Sequence, residues 1–322
     1  MSTTGGYFLA LAAAELYTLQ KKIFTLDGFK LAAPSLRTGK CFAQPGAHRY
    51  PLLGQYLDGL NCLLNSVFMA AHESSDAQLL MASVVAVLFS SLMVSTYESF
   101  RPTHRNNGVL GFIARCSSFF YVVGQIMTAG FAMPLHAAFC VWSHGISKKN
   151  KHARPEGKYA WSTLLSVAIG FLLPSLGLAA ENMSYRALSV WQLFPFYILA
   201  LNLVLSRILP KAPRSRAVAI IAVLCTVVSV SCHIGLLREL SSGRRLGDIL
   251  LFDTKWTTSL TYAAHALFAV DAAFMLITSA SVVLLPYKAK LGVLIAMLII
   301  TLAAGPGAAI ILPWAYHELS TE

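Results

Sequence analysis

Carboxyl groups inside long apolar runs are the side chains of this sequence best placed to do chemistry. Glu15, Asp58 and Asp271 lie within such runs, and Glu98 ends one of them, with Arg101 one helical turn later. A charged carboxylate at bilayer depth costs about 2.5–3.5 kcal/mol even on the most lenient scale. Asp58 and Asp271 have no basic residue nearby in sequence, so each must be protonated, paired across helices or functional. A desolvated carboxyl has a raised pKa, and in its protonated form it can act as a general acid toward a hydrophobic substrate.

The stretch 51–73 is long and apolar enough to cross a bilayer as a helix, yet one face of that helix is polar. Such a face must turn toward other helices or toward a wet cavity. Its asparagines are expected mainly to hydrogen-bond between helices, at about 0.6 kcal/mol each. The face, centred on Asp58, comprises Gln55, Asp58, Asn61, Cys62, Asn65 and His72.

Several other predicted spans carry a similar polar face. Most of the Ser, Thr and Asn members are expected to pack between helices, and His233 and His265 to be satisfied core histidines. For Glu98, a structural ion pair with Arg101 is the simpler interpretation. Aromatic residues near these faces could stabilise a carbocation by cation–π attraction, although core packing and an interfacial belt account for most of them. The groups sharing a face are Ser91, Ser95 and Glu98; Gln125, Thr128 and His136; Gln192, Pro195, Asn202 and Ser206; Thr226, Ser229 and His233; and Thr258, Thr261 and His265.

Composition predicts an all-α, polytopic transmembrane helical bundle that forms a single integral membrane domain over residues 1–322. Of the 322 residues, 56% are hydrophobic and only 12% are charged, about half the charge of a soluble domain. The net charge of +11 does not indicate a nucleic-acid partner, because the basic residues lie in short connections between apolar runs. No HExxH, CxxC or paired His/Glu spacing indicates a metal site.

About eight or nine crossings are predicted. The first run is a short span or an interfacial helix, and the helix over 118–142 is expected to kink at Pro134. The basic loops at 147–158, 207–216 and 286–290 alternate on one side, which the positive-inside rule makes cytosolic. The predicted spans are 5–19, 51–73, 79–97, 118–142, 159–178, 187–208, 217–236, 257–285 and 291–314.

Three short motifs, together with the number and placement of the spans, resemble the fungal membrane-bound terpene cyclases of meroterpenoid pathways, a group that includes the ascofuranone and macrophorin cyclases. The first motif is the run 57–63 around Asp58, and the second joins Glu98 and Arg101 to Asn107. The third is Trp191 and Gln192 followed by Leu-Phe-Pro. The order of these motifs and their depth in the membrane carry the resemblance, which covers most of the chain.

The resemblance implies a multi-pass enzyme of the endoplasmic reticulum that needs no metal or organic cofactor. Its partners would be the lipid bilayer and a hydrophobic, prenylated small molecule, with no obligate protein partner. Such an enzyme protonates a terminal epoxide or an olefin on a farnesyl chain attached to an aromatic polyketide, and the cation closes a ring. Asp58 and Glu98 would be the catalytic acids, with Arg101, Asn107 and Gln192 orienting them or the oxygen that leaves the epoxide. Position alone adds further candidates for binding or orienting the substrate: His136, Asp271, Asn61, Asn65, Trp191 and Tyr97.

Two other functions remain open at this point. Another lipid-modifying enzyme, such as an isomerase, would use the same chemistry of an acid in the membrane. A transporter would also have polar-lined helices, and Gly305-Pro306-Gly307 interrupts the last predicted span as transporter helices are often interrupted. No inverted repeat accompanies that interruption, so the transporter ranks below both enzymes.

Overall fold

The computed structural model describes residues 3–19, 54–105, 107–146, 154–250, 260–287 and 290–320, without the side chains of residues 54–60. All regular structure within these ranges is helical, which agrees with the predicted all-α class. The helices, in chain order, are α1 (Thr3–Leu19), α2 (Gly54–His72), α3 (Ser75–Ser99), α4 (Gly108–Arg115), α5 (Ser117–Met127), α6 (Ala129–Ile146), α7 (Gly157–Val167), α8 (Leu173–Ala180), α9 (Tyr185–Trp191), α10 (Phe194–Ile208), α11 (Arg214–Ser241), α12 (Leu246–Leu250), α13 (Leu260–Leu284), α14 (Leu291–Ala304) and α15 (Pro306–Ser320).

Four helical segments within the described ranges are long and apolar enough to cross a membrane, and two bent helix pairs raise the number to six if each pair is one span. The predicted eight or nine spans are therefore not confirmed. Helices α1, α14 and α15 are too short to count as spans. They have 17, 14 and 15 residues, whereas a helix needs about 20 residues to cross a bilayer. In α2, polar residues such as Asn61 and Asn65 lower the hydropathy. The four segments are Ser75–Ser99, Gly157–Ala180, Arg214–Ser241 and Leu260–Tyr287.

Helix α3 lies at the centre of the bundle, and α6, α11, α13 and α15 pack around it. Its buried residues cover the full circumference of the helix rather than one stripe, as expected for a helix that is apolar all round. Helices α6 and α13 also pack against each other and against α1. This arrangement leaves the C-terminal half of α3 facing a cavity that α6, α13 and α15 close.

The break in the chain between residues 109 and 146 differs from the prediction. The helix does not kink at Pro134; it ends at Met127 and a new helix begins at Ala129. The residue between them, Thr128, has a φ of 136°, which a β-branched residue rarely adopts. Consequently Gln125 and Thr128 do not share a helical face with His136, as the sequence had suggested.

The predicted interruption near Gly305 is confirmed, because α14 ends at Ala304 and α15 starts at Pro306. Gly305 has a φ of 87°, which glycine adopts without strain. The polar face of α11 satisfies the groups that this break exposes. The Ser229 hydroxyl donates to the Ala304 carbonyl at 2.8 Å and accepts from the Ala308 N–H at 2.9 Å. His233 Nε2 lies 2.9 Å from the Leu302 carbonyl, so this histidine is structural, as expected.

We expect the Ser229→Ala substitution to destabilise the bundle at this junction. It leaves the buried Ala308 N–H without its acceptor, which costs roughly 1–3 kcal/mol. Thermal unfolding of the purified protein in detergent measures the loss. Ser241→Ala is the matched control, because Ser241 is exposed near the end of the same helix and only bonds back to Arg238. An equal melting temperature for both variants would contradict this role of Ser229.

Candidate active site

A cavity of about 900 Å³ lies beside the C-terminal half of α3. We call it the large cavity. Its volume is in the upper part of the range of roughly 300–1,000 Å³ that encloses drug-sized ligands. Apolar side chains such as Val94, Met133 and Val282 form most of its wall, and charged groups lie at the end where α3 and α15 finish. The predicted polar face of Ser91, Ser95 and Glu98 lines this cavity.

Glu98 and Arg101 form a two-pronged ion pair at the polar end of the large cavity. Arg101 Nε donates to one carboxylate oxygen of Glu98, and its NH2 group donates to the other at 2.8 Å. Trp314 Nε1 donates to Glu98 Oε1 at 3.3 Å. A guanidinium bound in this way favours the ionised carboxylate. The structural ion pair anticipated from the spacing is therefore present, and it lines a cavity.

Arg101 also reaches Glu318 on α15, so that one guanidinium joins two carboxylates. Its NH2 group donates to Glu318 Oε1 at 2.7 Å. The Glu318 side chain is fully buried, and three further groups surround it. Arg214 NH1 and the Tyr97 hydroxyl donate to its Oε2 at 2.9 and 2.7 Å, and Arg154 donates to its backbone carbonyl at 2.6 Å. Glu318 is thus the anchor that brings three arginines to one end of the cavity.

Arg101 retains hydrogen-bonding capacity toward the cavity. Within the described part of the chain, its hydrogen bonds use Nε and NH2 but not NH1. Burial acts to lower the pKa of Arg101, but the ion pairs with Glu98 and Glu318 outweigh it and the pKa is raised. The guanidinium therefore stays charged and can donate to the oxygen of a bound molecule.

Four histidines line the large cavity, and His104 and His136 are two of them. His104 accepts or donates a hydrogen bond through Nδ1 to Ser143 at 2.9 Å, and burial lowers its pKa to about 4. It is therefore neutral at pH 7. His136, a candidate from the sequence, lies 3.0 Å from the Ala114 carbonyl through Nε2. Its ring is held by the backbone of α4 while the side chain contributes to the cavity wall.

The site predicted around Asp58 falls partly outside the described residues. The backbone of Asp58 is part of α2, but its side chain lies outside the description, so its position relative to Glu98 stays a prediction. Asn61 and Asn65, on the same helical face, both donate to Ser189 of α9, at 3.2 and 2.9 Å. They link two helices, as expected, and neither contributes to the wall of the large cavity.

Three other candidate residues, Asn107, Gln192 and Tyr97, lie away from the Glu98–Arg101 pair or support it indirectly. Asn107 bonds the backbone of Thr103 and Ser143 and so holds the connection after α3. Gln192 is buried, and its amide has no partner among the described residues. Tyr97 supports Glu318 rather than facing the cavity.

Trp191 and Asp271 line a second cavity of about 150 Å³, which we call the small cavity. It lies beside the N-terminal half of α3. The Trp191 Nε1 group donates to Ser175 at 2.9 Å, which leaves its ring to form part of the wall. The candidates proposed as one site are thus divided between two cavities.

Sequence reasoning missed Glu318, Arg154 and Arg214. The two arginines belong to basic connections that were interpreted as determinants of membrane orientation. Both side chains instead fold back against Glu318 and are only 15% and 12% exposed. The scarcity of acidic residues, 14 in 322, was the one signal that could have drawn attention to Glu318 near the end of an apolar run.

We expect Glu318→Gln to destabilise the protein strongly. Removing this carboxylate leaves Arg101, Arg154 and Arg214 close together with one negative partner fewer, and breaking a buried ion pair in this way costs about 3–5 kcal/mol. Thermal unfolding in detergent measures the effect. Glu156→Gln is the matched control, because the Glu156 side chain is 51% exposed. Equal stability of the two variants would show that Glu318 does not anchor the cluster.

Comparison with known proteins identifies a family but no individual relative. A family model described as the CtvD domain matches residues 30–237, which is more than half of the chain and includes Glu98 and Arg101. No curated protein and no solved structure gives a significant match. Among the described residues, no group of three His, Cys, Asp or Glu side chains is arranged to hold a metal ion. On the extent of the family match, the chain belongs to the CtvD domain family.

Proposed function

We propose that this protein is a membrane-bound cyclase that closes a ring on an apolar, oxygen-bearing substrate by acid-initiated opening of an epoxide or protonation of an olefin. The substrate is a farnesylated aromatic compound of secondary metabolism, and the enzyme works in the endoplasmic reticulum membrane. Membership of the CtvD family supports this, because the family is linked to fungal meroterpenoid and terpene cyclase-type biosynthesis.

The observation that carries the proposal is the ion pair of Glu98 and Arg101 at one end of a large apolar cavity between membrane helices. A cavity of about 900 Å³ with mostly apolar walls suits a prenylated molecule that reaches the protein through the bilayer. Charged groups at a single end would fix the orientation of such a molecule.

In this proposal Arg101 binds the substrate oxygen and Glu98 acts as a carboxylate. The NH1 group of Arg101, which no described residue uses, donates to an oxygen as negative charge develops on it. Glu98 accepts a proton from the hydroxyl that closes the ring, or offsets a developing positive charge. The Trp314 ring lies in the same wall and adds cation–π stabilisation. Because Arg101 holds Glu98 ionised, the carboxylate role suits Glu98 better than the acid role expected from the sequence.

We expect Glu98→Gln to lower the conversion of a prenylated aromatic epoxide by roughly 100- to 1,000-fold, which is the usual effect of removing one electrostatic contact to a transition state. The assay uses membranes from a yeast host, with products analysed by mass spectrometry. A cyclase gives a product of unchanged mass and altered retention time, whereas hydrolysis adds the mass of one water. Full conversion by the variant would exclude Glu98 from the reaction.

Glu181→Gln is the control for that measurement, since Glu181 is exposed beyond the end of α8 and bonds only Ser184. It should convert the substrate at the wild-type rate. If the wild-type protein itself converts no epoxide or olefin of this class, then the cyclase proposal is wrong.

We expect Arg101→Lys to lower conversion by about 100-fold although the positive charge is kept. A lysine ammonium cannot bind Glu98 through two parallel hydrogen bonds, reach Glu318 and still donate to a ligand. Arg105→Lys is the matched control, because Arg105 is exposed and bonds only the Tyr159 hydroxyl. Equal activity of the two lysine variants would mean that charge alone, and not the geometry of the guanidinium, is required at position 101.

A further inference from the structure

Two buried carboxyl groups meet where α1, α6 and α13 pack together. Glu15 of α1 is fully buried and Asp271 of α13 is 9% exposed. Neither forms an ion pair with a basic side chain in the described part of the chain. Both carboxyl groups lie against Gly130, because its N–H donates to Asp271 Oδ1 and a Cβ added to it would lie 2.6 Å from both carboxyl oxygens of Glu15.

Two carboxyl groups in this arrangement repel each other when both are ionised, so in the resting state they share one proton. The neighbouring donors indicate which of them holds it. Asp271 accepts the Gly130 N–H in the first turn of α6, where the helix dipole favours a negative charge. Glu15 accepts the Thr128 hydroxyl on Oε1 at 2.7 Å, and its Oε2 has no other partner among the described residues. A proton on Glu15 Oε2 that is donated to Asp271 satisfies this remaining atom.

Backbone strain is concentrated at the same place. Thr128, which donates to Glu15, is the β-branched residue with a φ of 136°. A residue in such a conformation costs of the order of 1–3 kcal/mol and persists only where its surroundings impose it. Here the conformation directs the Thr128 hydroxyl to Glu15 and the Gly130 N–H to Asp271.

Asp271 forms part of the wall of the small cavity, whereas Glu15 lies behind it. The rest of that wall includes the rings of Phe68, Trp191 and Phe268. Phe68 touches both of the other rings, edge to face, with centroids 5.3 and 5.0 Å away. A volume of about 150 Å³ is below the usual range for a whole ligand and suits the end of an apolar chain.

The small and the large cavity lie in sequence along the same helices. On α3, Leu88 of the small cavity precedes Ser91 of the large one by three residues, and on α6 Ala129 precedes Met133 by four. Their walls are therefore about one helical turn apart, roughly 5 Å. A long molecule with its polar group at Arg101 would extend toward Asp271.

We propose that Glu15 and Asp271 form a second acid site, which supplies the initiating proton to the epoxide oxygen or alkene at the end of an isoprenoid chain. The inference rests on the proposed cyclisation and adds its proton source. Glu98 is paired with arginine and so is poorly placed to donate a proton, whereas the Glu15–Asp271 pair has no basic partner among the described residues and carries a proton. The aromatic rings around Asp271 would stabilise the positive charge that follows protonation.

The step balances without another reactant. Glu15 passes its proton through Asp271 to the epoxide oxygen, and the C–O bond breaks with its electron pair remaining on that oxygen. An internal alkene or a hydroxyl group of the same molecule forms the new bond to the carbon. The resulting cation releases a proton to the Glu98 carboxylate, and proton exchange with water then returns Glu98 and the Glu15–Asp271 pair to their starting states. The product is an isomer of the substrate.

Glu15→Gln and Asp271→Asn test the inference in the full-length protein. Gln is the isostere of the protonated acid, and Asn can still accept the Gly130 N–H, so both variants should keep the fold and elute as the wild type does. We expect each to lose roughly 100- to 10,000-fold in conversion of the prenylated aromatic epoxide, the usual contribution of a general acid. Glu181→Gln should convert it normally. Infrared difference spectra should show a protonated-carboxyl band in the wild type that is lost in Glu15→Gln.

The outcomes separate this inference from the proposed function. If the wild type converts the substrate and both folded variants do so equally well, the pair is structural and the inference is wrong. If Asp58→Asn abolishes conversion while Glu15→Gln and Asp271→Asn retain it, the proton comes from Asp58 and the inference is equally wrong. If the wild type converts nothing, the proposed function fails, and the infrared band alone then decides whether Glu15 and Asp271 share a proton.

Discussion

The guanidinium of Arg101 is the contact on which the polar end of the large cavity depends. It binds Glu98, which is three residues earlier in the sequence, and Glu318, which is more than two hundred residues later. Burying this many charges is tolerable only because each carboxylate is matched by more than one donor. The same contact ties the end of α3 to α15, so the wall of the cavity and its charged end are built by one interaction. The large cavity therefore combines mostly apolar walls with fixed charges at one end.

Two sets of carboxyl groups in this protein lie in different electrostatic surroundings. Glu98 and Glu318 are paired with arginine, whereas Glu15 and Asp271 have only each other and neutral donors within the described residues. Pairs of titratable groups whose environments separate their pKa values are how proteins divide the roles of acid and base. Here the two sets of carboxyl groups lie near opposite ends of α3. One set is at the charged end of the large cavity, which can bind a substrate oxygen, and the other is beside the aromatic small cavity, which can stabilise a cation. This arrangement gives the proposed cyclisation a proton donor and an acceptor without requiring one residue to be both.

Features that depend on local periodicity could be predicted from the sequence. The helical class, the common face of Ser91, Ser95 and Glu98, and the ion pair one turn apart follow from 3.6-residue spacing, and the structure has all three. The break at Gly305 was also visible, because Gly and Pro mark such sites. The break at Thr128 was not, since nothing in a β-branched residue signals a positive φ. The count of eight or nine crossings is not confirmed, because several of the predicted spans correspond to helices shorter or more polar than a typical membrane-crossing helix.

The partners of Arg101 and of Asp271 could not be predicted, because each is far away in sequence. Arg154 and Arg214 look like any other basic residue in a short loop until the fold brings them to Glu318. Glu15 lies in α1, and the amino-acid composition of α1 does not reveal that this helix packs against α6 and α13. Membrane insertion costs make buried acids conspicuous in a sequence, but they do not say which acids will meet.

The central claim is that the protein rearranges its substrate without adding anything to it. Its most direct test is to incubate the purified wild-type protein with a prenylated aromatic epoxide in water labelled with heavy oxygen. The proposed cyclisation predicts a cyclic product that has the mass of the substrate and contains no label. A product that carries one labelled oxygen would show hydrolysis, and unchanged substrate across this class of compounds would show that the protein is not such an enzyme. Either result would contradict the proposed cyclisation.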